Sequence, residues 1–396
     1  MSSGREVVVL SGVRTAIGDY GGALKDLAPT ELSAQVIREA VKRAKVDAKE
    51  VGACAIGNVI HTEAKDMYFS RVAALKGGLS DESTALTVNR LCGSGMQAIV
   101  SASQMIMLGD TDTAVGGGAE SMSRGGYLMP TLRWGQRMAD GNVVDMMVGA
   151  LTDPFDTVHM GLTAEAIADK WKISREQQDE FSVESHRRAI NAIEKGYFKD
   201  QIAPFELKTR KGTTVFDRDE HPRADASLEG MAKLRAAFKK EGSVTAGNAS
   251  GINDGAAAVV LMERGAAEKK GLKPMARLVS YGIAGVDPKI MGIGPVPASK
   301  RALEKAGLKI EQMDVIESNE AFAVQALAVS CDLKLDPKKT NPNGGAVGLG
   351  HPIGATGALL TVKALYELQR TGGKYALVTM CIGGGQGITA IFERLN

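Results

Sequence analysis

Asn89-Arg90-Leu91-Cys92-Gly93-Ser94-Gly95 opens a run of small and apolar residues that continues to Leu108. The run reads as a helix, so Cys92 stands where a strand ends and a helix begins. A glycine-rich turn at that place leaves free backbone N–H groups and the positive end of a helix dipole beside the sulfur, and both favour thiolate over thiol. Cys92 is therefore a candidate nucleophile. Three further stretches extend the pattern: Asn319-Glu320-Ala321-Phe322, Gly350-His351-Pro352-Ile353-Gly354 and Met380-Cys381-Ile382-Gly383-Gly384-Gly385-Gln386-Gly387. They supply an amide, an imidazole and a second thiol.

Outward from Cys92, strands and helices alternate. Residues 6–10, 53–60 and 113–118 read as strands and 30–45 as a helix; in the second half 276–281, 315–318 and 375–380 read as strands and 299–306, 321–329 and 357–368 as helices. Ala55-Ile56-Gly57-Asn58 lies over residues 315–319, Cys92-Gly93-Ser94-Gly95 over the turn at 350–357, and residues 114–118 over 380–384, all at offsets of roughly 260 residues. The expected fold is thus α/β and duplicated, with equivalent loops of two similar halves brought to one shared site. Residues 1–120 with 251–272 form one half and residues 273–396 the other. Residues 121–250 have a different texture and read as an inserted loop domain that covers the cleft, with a polar helix over 174–196 capped by Ser174 and a charge-dense stretch at 208–241.

The composition fits this reading. The chain has 396 residues, 44% apolar and 24% charged, and its 47 glycines fall in short runs, where backbone turns tightly or approaches a neighbour closely. A net charge of +2 gives no broad field for nucleic acid. Four scattered cysteines form no disulfide framework and imply a reducing compartment. No signal peptide, peroxisomal tripeptide or apolar run of roughly 18 residues is legible, so a cytoplasmic protein without a membrane span is expected.

In these four motifs and their order the chain resembles the thiolases, over effectively its full length, and most of all the bacterial β-ketothiolases that feed polyhydroxyalkanoate synthesis. The resemblance implies a thiolase fold, a five-layer αβαβα arrangement, and a homotetramer built as a dimer of dimers, with part of residues 121–145 between dimers. It implies reversible Claisen condensation of acetyl-CoA with a short acyl-CoA, with no cofactor or metal and with CoA thioesters as substrates. Cys92 would carry the acyl group. His351 would take its proton, Asn319 would hold the water that completes an oxyanion hole with His351, and Cys381 would move the α-proton. The N–H groups of Cys92 and Gly383 would form a second oxyanion hole. Leu151, His159, Met160, Phe238, Ala246 and Ser250 would line the pantetheine tunnel, Arg223 would stand near the nucleotide, and Met291 would border the acyl pocket. Ser318 and Met96 depart from the family's usual residues, which bears on chain-length preference.

Each residue also has a plainer reading. Cys92 alone could be a small buried residue, His351 a structural histidine, Cys381 an inert strand-end thiol and Met291 a filler of the core. Two rival functions stand beside the thiolase reading: a decarboxylating ketoacyl synthase, for which Cys381 would be surplus, and a non-catalytic acyl-CoA carrier.

Overall fold

A computed structural model describes residues 4–209 and 212–395. The readings of Met1 to Ser3, Arg210, Lys211 and Asn396 fall outside the described residues. The main sheet has nine strands in its path: β1 (Val7–Arg14), β2 (Ala53–Gly57), β3 (Thr84–Val88), β4 (Thr113–Ser121), β5 (Asn253–Glu263), β6 (Ala276–Gly285), β7 (Val315–Ser318), β8 (Tyr375–Ile382) and β9 (Gln386–Arg394). Their order is β7-β8-β9-β6-β1-β5-β4-β2-β3, and the two-residue strand Gly18–Asp19 pairs with β5. On one side β2 is parallel to β4, and β4, β5 and β1 alternate direction. On the other, β7 is parallel to β8, and β8, β9 and β6 alternate likewise. The halves mirror each other about a short antiparallel ladder that pairs Val8 with Arg277 and Val9 with Ala276.

Two equivalent helices, Ser94–Leu108 and Thr356–Thr371, lie side by side and touch strands of both halves. Helices Pro29–Ala44 and Phe69–Lys76 cover the outer face of the first half-sheet, and Pro295–Ala306 covers that of the second. This is a helix-sheet-helix-sheet-helix stack, as expected. The central crossing needs glycine. A Cβ on Gly357 would stand 2.3 Å from the Met96 nitrogen, and one on Gly95 would stand 2.9 Å from that of Ala358. Only bare backbone lets the helix starts approach so closely, and it is this approach that brings Cys92 and His351 together. Leu91–Leu108 has the length and mean hydropathy, 1.2, of a membrane span, a property the sequence reading passed over; here its helix is the central layer of the stack.

Element ends differ from expectation for identifiable reasons. The second-half helix expected from Ser299 begins at Pro295, because the first turn has no need of the N–H that proline lacks. The helix expected from Ala321 begins at Ala323, because Ser250 donates its N–H to the Ala321 carbonyl at 3.0 Å and Phe322 is held extended. The strand expected to reach Ile60 ends at Gly57, where the chain peels away to the Glu120 carboxylate. In the insertion, Arg175–Glu194 is the polar helix, and Ser174 caps it through a reciprocal pair with Gln177.

Candidate active site

Cys92 sits in a tight turn that its neighbours enforce. Leu91 takes a left-handed φ of 44°, and the Ser94 hydroxyl accepts from the Arg90 N–H at 2.8 Å while donating to the Leu91 carbonyl at 2.6 Å. The N–H groups of Gly383 and of Cys92 itself face the sulfur and favour its anion. Burial outweighs them and, helped by the Glu120 carboxylate, pushes the thiol up to about 11. The thiolate preference expected from the turn is therefore overruled. At neutral pH the resting group is a thiol, and it needs a base.

His351 has the form of that base. Its Nδ1 lies 2.6 Å from the Thr356 hydroxyl, which donates its single proton to the Pro352 carbonyl at 2.9 Å. The hydroxyl can then only accept from Nδ1–H, so Nε2 is left bare. Burial holds the imidazole down to about 4, in the neutral form. Nε2 lies 3.4 Å from the Asn319 Nδ2, whose fellow oxygen has no protein partner. Asn319 is fixed from behind through its N–H, which donates to the Thr379 carbonyl at 3.0 Å.

Cys381 is the penultimate residue of β8, fully buried opposite Gly387. Burial raises its thiol far above the ordinary range, and the next largest cause is the proximity of Cys92, so the two sulfurs are neighbours. Its site does not lower its pKa unaided, contrary to what a resting thiolate would require.

A cavity of about 390 Å³ opens beside these groups. Cys92, His351 and Gly383 line it, and so do Leu151, His159, Met160, Phe238, Ala246, Ser250 and Met291, every tunnel and acyl-pocket residue expected from the sequence. Cys381 and Asn319 stand behind the lining. The walls are mainly apolar. His159 stacks on Phe238 with ring centroids 4.6 Å apart, and its Nδ1 accepts from the Gly161 N–H, which leaves Nε2 as the donor. Arg223 lies outside this cavity. It lines a second, of about 320 Å³, with His186, His221, Asp225 and Ser227, and the two cavities share Ala246 and Ala249.

The models described as "Thiolase, N-terminal domain" and "Thiolase, C-terminal domain" match residues 7–265 and 272–394. The chain belongs to the thiolase family. Beta-ketothiolase BktB of Cupriavidus necator is 67% identical over 392 residues, which covers 99% of this chain and all of that one. The solved acetyl-CoA acetyltransferase of Bacillus anthracis is 48% identical at a TM-score of 0.98, with both chains covered in full. Human mitochondrial 3-ketoacyl-CoA thiolase, solved in complex with CoA, is 45% identical at a TM-score of 0.96 and covers 99% of this chain and 98% of that one.

Three polar groups of this thiolase escaped the sequence reading. Glu120, at the end of β4, is fully buried and accepts from Asn58 Nδ2, the N–H groups of Val59 and Ile60, and that of Gly354 at 2.8 Å. Burial pushes it up to about 8. Four donors leave no space for a proton, so the geometry favours the ionised form. Asn253 holds the His351 backbone and Thr356 holds its ring. The available signal was a polar residue at the end of a small, apolar strand: Ala119-Glu120-Ser121 and Ile252-Asn253-Asp254 both show it.

Proposed function

We propose that this thiolase catalyses the reversible condensation of acetyl-CoA with acetyl-CoA or another short acyl-CoA, through an acyl group carried on Cys92. The observation that supports this reading most is the meeting of the Cys92 thiol and a neutral imidazole at one apolar cavity, with the Cys381 thiol beside Cys92 just behind its lining. Cys92 Sγ attacks the thioester carbonyl as its proton passes to His351 Nε2. The N–H groups of Cys92 and Gly383 receive the oxygen's developing charge. The carbon–sulfur bond breaks, and CoA leaves as a thiolate that takes the Cys381 proton, so Cys381 becomes a thiolate while His351 stays an imidazolium. A second acetyl-CoA enters with its thioester oxygen toward His351 Nε2–H and Asn319, which stabilise an enolate once the Cys381 thiolate takes the α-proton. The enolate carbon attacks the Cys92 acyl carbonyl, 3-ketoacyl-CoA departs, and the Cys92 sulfur recovers its proton from His351. Thiolysis is the same path reversed.

The apolar lining suits a pantetheine arm, and the second cavity, with Arg223, suits the nucleotide end. The resemblance to bacterial β-ketothiolases favours products of four or five carbons and a cytoplasmic biosynthetic role. Leu132, Trp134 and Met138, exposed at 62%, 89% and 86%, give residues 121–145 an apolar surface that suits a dimer-of-dimers contact.

The test is trapping. Acetyl-CoA alone should leave one acetyl group on the Cys92 peptide by mass spectrometry, with ping-pong kinetics in the full reaction. An unmodified Cys92 with ternary-complex kinetics would contradict the proposal. Thiolysis rates across 3-ketoacyl-CoA chain lengths then define the acyl range.

A further inference from the structure

Thr356 fixes the ring of His351, but something else must fix where that ring begins. The His351 N–H donates to Asn253 Oδ1 at 2.9 Å, and the Asn253 Nδ2 donates to the Gly18 carbonyl and to Asp19 Oδ1, both at 3.1 Å. The Asp19 oxygen also receives His221 Nδ1 at 2.6 Å. These partners settle the amide's orientation: a donor faces Oδ1, and two acceptors face Nδ2. Asn253 is wholly buried, and backbone closes on it from two sides. A Cβ on Gly350 would lie 2.5 Å from Asn253 Cγ, and one on Gly251 would lie 2.7 Å from Asn253 Oδ1 and 2.5 Å from His221 Cε1. Gly350 also has a φ of 104°, which side chains rarely adopt. Asn253 is therefore clamped between two glycines, one of them adjacent to His351, while its far end is tied through Asp19 to His221, a wall of the cavity that holds Arg223.

We propose that Asn253 is the positioning residue of His351, setting the distance from Nε2 to the Cys92 thiol, with Asp19 and His221 as its anchor. Neither residue of the same shape meets the site. Leucine leaves the buried His351 N–H and Gly18 carbonyl unpaired. Aspartate sets a carboxylate against both Asp19 and that carbonyl. The Asp19 carboxylate, held below its usual range first by its hydrogen bond to His221 against the cost of burial, stays charged and fixed as an acceptor. The inference rests on the reading that His351 takes the Cys92 proton.

The experiment compares Asn253→Ala, Asp19→Asn and His351→Ala in the full-length enzyme, with kcat, KM for acetyl-CoA, the melting temperature, and the rate of Cys92 alkylation by iodoacetamide against pH. Asn253→Ala should lower kcat about 10-fold with KM within about 3-fold of wild type. Its alkylation rate should be depressed about 10-fold near pH 7, with the deficit shrinking as the thiol begins to ionise without a base. A loss of folded protein alone would scale the rate by one factor at every pH. Asp19→Asn keeps an acceptor but takes the charge from the anchor, at a more exposed position, and should lower kcat about 3-fold; it decides the matter should Asn253→Ala not fold. Wild-type kcat and alkylation profile in the folded variants, or a pH-independent scaling, overturns the proposal. If His351→Ala is inactive while Asn253→Ala is not, only this inference fails. An active His351→Ala overturns the catalytic reading beneath it.

Discussion

Thr356→Val removes one oxygen atom and nearly nothing else. In the resting enzyme that oxygen accepts from the neutral His351 Nδ1–H at 2.6 Å. Once Nε2 has taken the Cys92 proton, the same oxygen serves an imidazolium. A hydrogen bond between neutral groups contributes about 1 kcal/mol and one to a charged group about 1.5 to 3 kcal/mol, so the bond gains about 0.5 to 2 kcal/mol as the charge forms. Losing it should lower kcat/KM for thiolysis of acetoacetyl-CoA roughly 2- to 30-fold. The imidazole should also become still harder to protonate, since burial already holds it down to about 4. Thr356→Ser keeps the hydroxyl and should stay within about 3-fold of wild type. The assay is steady-state kinetics from pH 6 to 9, with circular dichroism to confirm folding. Unchanged kcat/KM in a folded Thr356→Val enzyme would refute the tautomer assigned here and, with it, Nε2 as the proton acceptor.

Glu120→Ala deletes four hydrogen bonds that tie the loop at 58–60 to Gly354 across the two halves. With buried donors left unpaired, it should destabilise the protein by about 3 to 5 kcal/mol, seen in urea unfolding; a loss under 1 kcal/mol would count against the bridging role. His186 is held down to about 4, mainly by burial, and its Nδ1 accepts from the Arg223 N–H. Its folded pKa lies below its unfolded one, so its contribution is complete above about pH 6.5 and declines as pH falls toward 4. His186→Gln should make the acid-side fall in melting temperature shallower, by on the order of 2 kcal/mol at pH 4; an equally steep fall would contradict that assignment.

The duplicated frame was legible because three pairs of elements repeat at one spacing, and the four motifs placed Cys92, Asn319, His351 and Cys381 on equivalent loops. What could not be read was the electrostatics. A glycine turn at a helix start is a local feature that favours thiolate. The burial that reverses it comes from the opposite half, through Ile382 and Ile388 packed beside Gly93, and the Glu120 charge of its own half adds to it. Asn253 and Glu120 were missed for the same reason. Their importance lies in donors far away in sequence, His351 for one and Gly354 for the other. Local rules also misplaced helix starts wherever a tertiary partner claimed the backbone, as Ser250 does at Ala321. Arg223 was expected near the nucleotide, and its own cavity adjoins the tunnel; the hydrogen-bonded chain behind it, from His221 to Asp19, carries no sequence motif at all.

The division of labour between the two sulfurs is best measured in the Cys381→Ala enzyme, given acetyl-CoA in deuterated water. Mass spectrometry should find Cys92 acetylated at close to the wild-type rate, and the methyl group of free acetyl-CoA should take up no deuterium above the uncatalysed background. Deuterium uptake at the wild-type rate, or a Cys92 that no longer becomes acetylated in a folded protein, would contradict the account.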